Sequence, residues 1–425
     1  VTADTHGAVH AAFRIESARL VATLARMLGD VGVAEELAQD ALIAALETWP
    51  QAGIPENPGA WLMATAKRRG INELRRTRMT SRKHQELGLT LEALERQTPE
   101  PEAALDDAIG DDLLRLVFTA CHPALSTEAR LALALRLFGG LTTDEIARAF
   151  LVPEATISQR IVRAKRTLAD EKIPYEVPRR DELAARLPSV LEVVYLMFNE
   201  GYSATAGEAW MRPGLCEEAL RLGKLLAELA PDDPEVHGLL SLMLLQASRA
   251  DARVGPEGEP LPLHEQDRER WSASLIGLGL AALERAAALG GSRGVYALQA
   301  TIAACHARAR RPEDTDWPCI AQAYATLSQH DPSPIVELNR AIAVSMAYEP
   351  LAGLDILDGL VAEPSLQSYA PLPAVRGDLL YKVGRFAEAR IEFERAATLT
   401  RNARERDSFL RRATACMAKL LEGRA

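Results

Sequence analysis

Residues 141–168, LTTDEIARAFLVPEATISQRIVRAKRTL, carry two apolar stripes of helical period set almost end to end. In the first, Ile146, Ala147 and Phe150 share one face, behind Thr142 or Thr143, either of which can cap a helix. Leu151 and Val152 leave room for only a short turn. Pro153, with its fixed φ and missing N–H, suits the opening of the next helix. There Ile157, Ile161 and Ala164 repeat on the inner face. Thr156, Ser158, Gln159, Arg160, Arg163, Lys165 and Arg166 are left for the outer surfaces. Such a unit is a helix-turn-helix, whose second helix fits the major groove of DNA. Its N-terminal side chains reach base edges while its arginines neutralise phosphates. A packing hairpin with a solvated charged face is the other reading of the same residues.

The rest of the chain is equally helical in pattern. No alternation of period two persists, and Ala, Leu, Arg and Glu dominate, so the expected fold class is all-α. At 425 residues the chain is too long for one ordinary domain. The formal net charge of −10 argues against a protein that coats nucleic acid indiscriminately, but allows a local basic face on an acidic body. The five cysteines are scattered without a C-x-x-C pair and read as buried thiols, with no metal site expected. No P-loop, nucleophile elbow or H-E-x-x-H is present, so neither catalysis nor a cofactor is expected. The N-terminus lacks a basic start followed by an apolar run, and no stretch approaches the roughly 18 apolar residues of a membrane span. A cytoplasmic protein with no membrane contact is the expectation.

A first helical block covers about residues 8–78. Leu20, Leu24, Met27 and Leu28 fall on one face, and Leu37, Ala41 and Ala45 on another, with Asp30 and Gly32 marking a helix end and restart between them. Pro50, Gly53, Pro55, Pro58 and Gly59 read as a loop. A further helix opens near Asn57-Pro58 and runs through Trp61 and Leu62 to Leu74. It carries Lys67, Arg68, Arg69, Arg75, Arg76 and Arg78, with Glu73 the single acid among them. A Trp beside a basic helix offers stacking and an electrostatic track for nucleic acid, and Trp61 equally fits a core position. Residues 80–110 are polar, contain Pro99 and Pro101, and read as a linker.

These two blocks, in this order, resemble the two domains of extracytoplasmic-function sigma factors. LGDVGVAEELAQDALIAAL (28–46) looks like the family's polymerase-binding helix and PGAWLMATAKRRGINELRR (58–76) like its promoter-melting helix. Residues 142–168 look like its −35-reading helix-turn-helix. The resemblance covers about the first 170 residues. It implies a partner, core RNA polymerase, met through the β′ clamp coiled coil and the β flap. Asp30, Glu35, Glu36, Leu37, Gln39 and Asp40 are the implied contacts on the β′ side. It also implies promoter DNA as a partner. Asn57, Trp61, Lys67, Arg68, Arg69, Asn72, Arg75 and Arg76 would act at the −10 element. Ser158, Gln159 and Arg163 align with base-reading positions at −35. Thr156, Arg160 and Arg166 lie nearer the phosphates, and Lys165 belongs to the same set. The implied layout is region 2 at 1–79, a linker at 80–110 and region 4 at 111–173. Two other readings fit the chain: a helix-turn-helix regulator with a tetratricopeptide effector domain, and an interaction scaffold that does not bind DNA.

Residues 181–425 exceed the minimal family design. In RGDLLYKVGRFAEARIEFERAATLT (376–400), Gly377, Leu380, Gly384, Phe386, Ala389, Phe393 and Ala396 have tetratricopeptide spacing, and segments 230–249 and 329–347 echo it. A degenerate superhelical stack with a surface for a protein or peptide is expected. VLEVVYLMFNEGYSATAG (190–207) reads as a buried helix with an abrupt end, where Asn199, Glu200 and Tyr202 mark either an interdomain or ligand site or a plain C-cap at Gly201. The resemblance narrows here to the sigma factors with a tetratricopeptide-like extension and a similar MFNEGY stretch. A further expectation is that this extension sets sigma activity in cis.

Overall fold

The break expected at Asp30 and Gly32 falls at Gly29 and Asp30, and Gly32 lies inside the second helix. In the computed structural model, α1 (Thr2–Leu28) ends on Gly29, whose φ of +71° favours glycine. Asp30 then caps α2 (Val31–Ala52), accepting the Val33 N–H at 3.0 Å. The structure describes residues 2–82, 112–138, 140–150, 152–202, 213–255, 261–330, 332–400 and 403–422. The 80–110 linker thus lies almost wholly outside the described residues. Helices account for the regular structure throughout them, with no β-strand. The fold is all-α, in two compact units, 1–229 and 230–425.

The first unit opens with α1, α2 and α3 (Pro58–Arg82) packed on one another. Ala34, Ala38, Ala41 and Ala45 form a small-residue stripe that brings α2 close to Leu20 and Leu24 of α1; Trp49, Leu62 and Ala66 close the core. Pro50 departs from the expected loop: it lies inside the last turn of α2, where a missing N–H removes a single intrahelical bond. The helix stops instead at Gly53, at φ +88°, whose N–H reaches Trp49 O at 3.0 Å.

Helices α4 (112–120), α5 (Thr127–Leu137), α6 (Thr143–Phe150) and α7 (Glu154–Asp170) make the second module. Thr142 and Glu145 form a capping box: the Glu145 N–H donates to Thr142 Oγ1 at 3.2 Å, and the Thr142 N–H to Glu145 Oε2 at 2.8 Å. Ile146, Ala147, Ile157, Ile161, Ala164 and Leu168 are all buried. Pro153 is the N-cap of α7. The Phe150 side chain and Leu151 lie outside the described residues.

Helix α8 (Arg180–Tyr202) also belongs to this unit, followed by α9 (Pro213–Leu229). Arg186 of α8 donates to Phe118 O at 2.6 Å and stacks 5.9 Å from the Phe118 ring, while Arg130 of α5 bonds to Ser189. The expected helix end at Gly201 does not occur. Helix α8 continues through Tyr202, and Gly201 serves packing instead: a Cβ there would stand 2.7 Å from Cys216 N of α9.

The second unit is a run of helices: α10 (Pro234–Ala247), α11 (Ala273–Ala288), α12 (Val295–Arg308), α13 (Trp317–His330), α14 (Pro334–Ala347), α15 (Pro350–Leu360), α16 (Pro371–Lys382), α17 (Phe386–Leu399) and α18 (Ala403–Glu422); from α13 on each packs chiefly on its neighbours in the chain, whereas α12 packs chiefly on α10. Small residues set the spacing. Gly377 of α16 lies where a Cβ would meet the buried Phe393 ring of α17 at 2.9 Å. Gly238 of α10 faces backbone: a Cβ would stand 2.7 Å from Ala297 N of α12. Glu235 reinforces that contact, accepting the Tyr296 and Ala297 N–H groups at 3.1 and 3.4 Å. Gly238→Ala is therefore expected to force the two helices apart and destabilise the unit by about 1–3 kcal/mol. Gly359→Ala, into open space on α15, should be neutral or slightly stabilising. Denaturant melts of the two variants provide the comparison.

His306 on α12 packs edge-on against Trp317 at 5.5 Å. Burial, reinforced by the Arg249 and Arg268 charges, pushes its pKa down to about 4. The folded value lies below the ordinary one near 6.5. Its contribution is thus complete above that value and is lost as pH falls through 4. Wild type should lose up to about 3 kcal/mol more than His306→Phe between pH 7 and pH 4, read from thermal unfolding at both pH values.

Candidate nucleic-acid and polymerase interfaces

The apolar inner face of α7 fixes which side chains turn outward. Ser158, Gln159, Val162, Arg163 and Arg166 form one exposed stripe at helical spacing. Arg166 makes only a surface pair with Asp170, at 3.3 Å. Thr156 and Arg160 flank the stripe, half-buried. Val162, 63% exposed, was not among the expected residues; its signal was an apolar side chain out of phase with Ile157 and Ile161. An exposed apolar group amid polar ones on such a helix has the chemistry to meet a thymine methyl.

Lys165 takes another direction. It pairs with Glu35 of α2, whose carboxylate also accepts Arg136 Nε and Gln39 Nε2, each at 2.9 Å. Glu35 is 6% exposed, so a residue expected at the polymerase contact is covered by the DNA-binding module. Beside it runs a groove of about 290 Å³ lined by Ser17, Val21, Ala38, Glu35, Arg136 and Leu137. A second set of contacts reinforces the junction. Asp112, 1% exposed, pairs with Arg26 of α1 at 3.1 Å and with Arg115 at 3.2 Å. The Tyr175 hydroxyl lies 3.0 Å from Ala22 O and 2.8 Å from Asp112 O.

Of the remaining α2 residues, Glu36 is exposed, Leu37 and Gln39 are half-buried, and Asp30 is occupied as the helix cap. Asp40 pairs with Arg69 of α3 at 3.0 Å, so two sets read separately from the sequence meet in space. On α3, Arg68, Ile71, Asn72 and Arg75 share an exposed face, with Arg76 exposed next to it and Lys67 half-buried. Asn57 caps the helix, accepting the Ala60 N–H at 2.9 Å, and is itself exposed. Trp61 is half-buried, its ring packed edge-on against buried Trp49 at 5.5 Å. It combines the core position and the surface position that the sequence left open.

Asn199 is half-buried, and Glu200 and Tyr202 are buried, with Tyr202 stacked on Phe198 at 5.6 Å. Among the described residues no cluster of His, Cys, Asp and Glu is placed to hold a metal ion, and no helix is long and apolar enough to cross a membrane.

The first unit thus joins a three-helix module with a basic third helix to a helix-turn-helix module, as the resemblance implied. Known proteins agree with the geometry. Residues 13–80 match the family model for Sigma-70 region 2, and residues 115–168 that for Sigma-70, region 4. Residues 186–287, from α8 into α11, match a family of unknown function, DUF6596. The ECF RNA polymerase sigma factor SigK of Mycobacterium ulcerans (strain Agy99) is 30% identical over 155 residues, which span 35% of this chain and 78% of that protein. The SigK of Mycobacterium tuberculosis (strain ATCC 25618 / H37Rv) is 29% identical over 154 residues, 35% of this chain and 78% of the relative. An uncharacterized protein of Rhizobium meliloti (strain 1021) is 44% identical over 385 residues, 90% of this chain and 89% of the relative, so it shares the extension as well. The chain belongs to the extracytoplasmic-function sigma factors of the sigma-70 family and carries a long helical C-terminal extension. This is a family of transcription factors rather than of enzymes.

Proposed function

We propose that this protein binds core RNA polymerase, recognises −35 and −10 promoter elements and initiates transcription in the cytoplasm, with its extension regulating that activity in cis. The outer stripe of α7 carries the reading. Apart from Val162 it is polar and cationic, exposed along more than two turns, and mounted on a buried apolar base, as base readout in the major groove requires. Residues 1–79 supply the polymerase and −10 contacts, 111–173 the −35 contacts and 181–425 a tetratricopeptide-like stack that takes a protein or peptide partner. Glu36 and Leu37 are presented for the β′ clamp coiled coil, and the α4–α7 module for the β flap. Arg68, Asn72, Arg75 and Arg76 line the path of the −10 strand, with Asn57 at its start.

Glu35 and Lys165 neutralise each other in the closed arrangement. Under this reading the two modules separate before both can act. Initiation by purified core enzyme plus this chain, from the cognate promoter, is the deciding assay; a regulator that only binds an operator gives no transcript from core alone. The regulatory role is tested by ending the chain after Leu229. A cut near Pro178 would instead strip α8 from Phe118 and expose the region-4 core. Equal transcription from the full and shortened chains, in resting and stimulated cells, sinks regulation in cis by residues 230–425.

A further inference from the structure

Two thiols meet in the second unit. Cys305 lies near the end of α12 and Cys319 in the first turn of α13, both against an apolar cluster with Ile320, Ala321 and Ala343. Both also line one cavity of about 350 Å³, together with Arg308, Arg310, Asp314 and Asp316. Cys121, Cys216 and Cys416 are buried.

We propose that Cys305 and Cys319 form a peroxide-reactive dithiol site, which a hydroperoxide converts to an intramolecular disulfide joining α12 to α13. The two thiols have unequal roles. Cys319 is half-buried on the cavity wall, whereas Cys305 is 4% exposed, so an oxidant entering the cavity reaches Cys319 first. Asp316 Oδ1 accepts the Cys319 N–H at 3.0 Å and holds Cys319 in the first turn of α13, on the cavity wall. Burial, then the hydrogen bond to Cys319, pushes the Cys305 thiol up to about 12, so it enters second.

In the first step Cys319 gives its proton to solvent and its sulfur attacks the distal peroxide oxygen. The S–O bond forms, the O–O bond breaks, and the alkoxide or hydroxide leaves and is protonated. In the second, Cys305 sulfur attacks Cys319 Sγ. The S–S bond forms, the S–O bond breaks, and hydroxide departs as water with the Cys305 proton. Two thiols and one hydroperoxide thus give one disulfide, one water and one alcohol, or two waters when the oxidant is hydrogen peroxide.

The test treats the full reduced chain with hydrogen peroxide and maps its peptides. The expected result is a linked pair containing Cys305 and Cys319, lighter by two hydrogens, together with a higher unfolding temperature for the oxidised chain. Cys305→Ser should trap a sulfenic acid at position 319, labelled by dimedone, and Cys319→Ser should leave position 305 unmodified. A wild-type map without the linked pair, or with first oxidation at Cys305, overturns the proposal whether or not either variant folds. Faster linkage by glutathione disulfide than by an equal concentration of peroxide overturns the assignment of the oxidant.

Discussion

A Lys165→Glu variant is expected to bind core polymerase more tightly than the wild-type chain. Lys165 is the cation that α7 sends to the buried Glu35 carboxylate, and its own side chain is only 21% exposed. Replacing it with an acid sets two carboxylates against each other and leaves Arg136 as the cation between them. Breaking a buried pair costs about 3–5 kcal/mol, and solvent contact at Lys165 places this case near 3. That energy is taken from the closed arrangement alone, so the open population rises. An apparent dissociation constant scales inversely with the competent fraction. The gain in polymerase affinity is therefore at least tenfold wherever the closed form dominates. Glu35→Lys combined with Lys165→Glu restores the pair with its polarity reversed, beside Arg136, so closure returns in part while the polymerase contact at Glu35 does not. Energy transfer between dyes on α3 and α6 reads the opening, and anisotropy of the labelled full chain with core enzyme reads the affinity. Unchanged transfer and unchanged affinity in Lys165→Glu would remove any role for this pair in occlusion.

The contrast between Lys165 and its neighbours shows how far the sequence was legible. Helical period separated Ile157, Ile161 and Ala164 from the rest of α7, because a two-helix unit has one inner face and the period identifies it. It could not sort the outer residues among themselves. Lys165 and Arg166 are adjacent and equally cationic, yet one meets a carboxylate 130 positions earlier in the chain and the other meets solvent. That choice depends on where a second module docks, which local pattern does not encode. Glu35 and Glu36 differ for the same reason.

Glycines divided in a similar way. Gly29 and Gly53 end helices through positive φ; the Pro- and Gly-rich stretch signalled the second directly, while the first was read at Gly32, which lies inside α2. Gly201, read as an end, lies inside α8 and exists for the approach of Cys216. A close-packing glycine and a capping glycine look alike until the neighbouring helix is in place. In the extension the spacing of Gly377, Phe386 and Phe393 was informative, because consecutive helices contact each other and leave the small–large pattern in contiguous sequence. The Cys305–Cys319 contact crosses the turn between α12 and α13, and nothing in the spacing of the five cysteines announced it.

Arg163→Ala and Arg166→Ala are expected to fail in different ways, and the difference separates base reading from backbone contact. Arg163 stands beside Gln159 on the exposed stripe, one turn past Ser158 and Gln159, where a helix entering the major groove still reaches base edges. Losing a base-reading arginine costs about 1–3 kcal/mol and relaxes preference at one position. Arg166 is a turn nearer the C-terminus, free to leave its exposed partner Asp170 for a phosphate. Its loss should weaken binding uniformly across −35 variants and lower the salt slope by about 1. Reversing charge at Arg160, Arg163 and Arg166 together combines both losses with repulsion and should abolish promoter-dependent transcription. These guanidinium groups lie outside the apolar face, so the helical signal and the melting temperature should remain near wild type. Transcription from a panel of −35 substitutions at two salt concentrations, with polymerase held saturating, reads both effects. If Arg163→Ala lowers output equally on every promoter, α7 contacts only the backbone there; if the triple reversal leaves output intact, the helix-turn-helix is a packing hairpin.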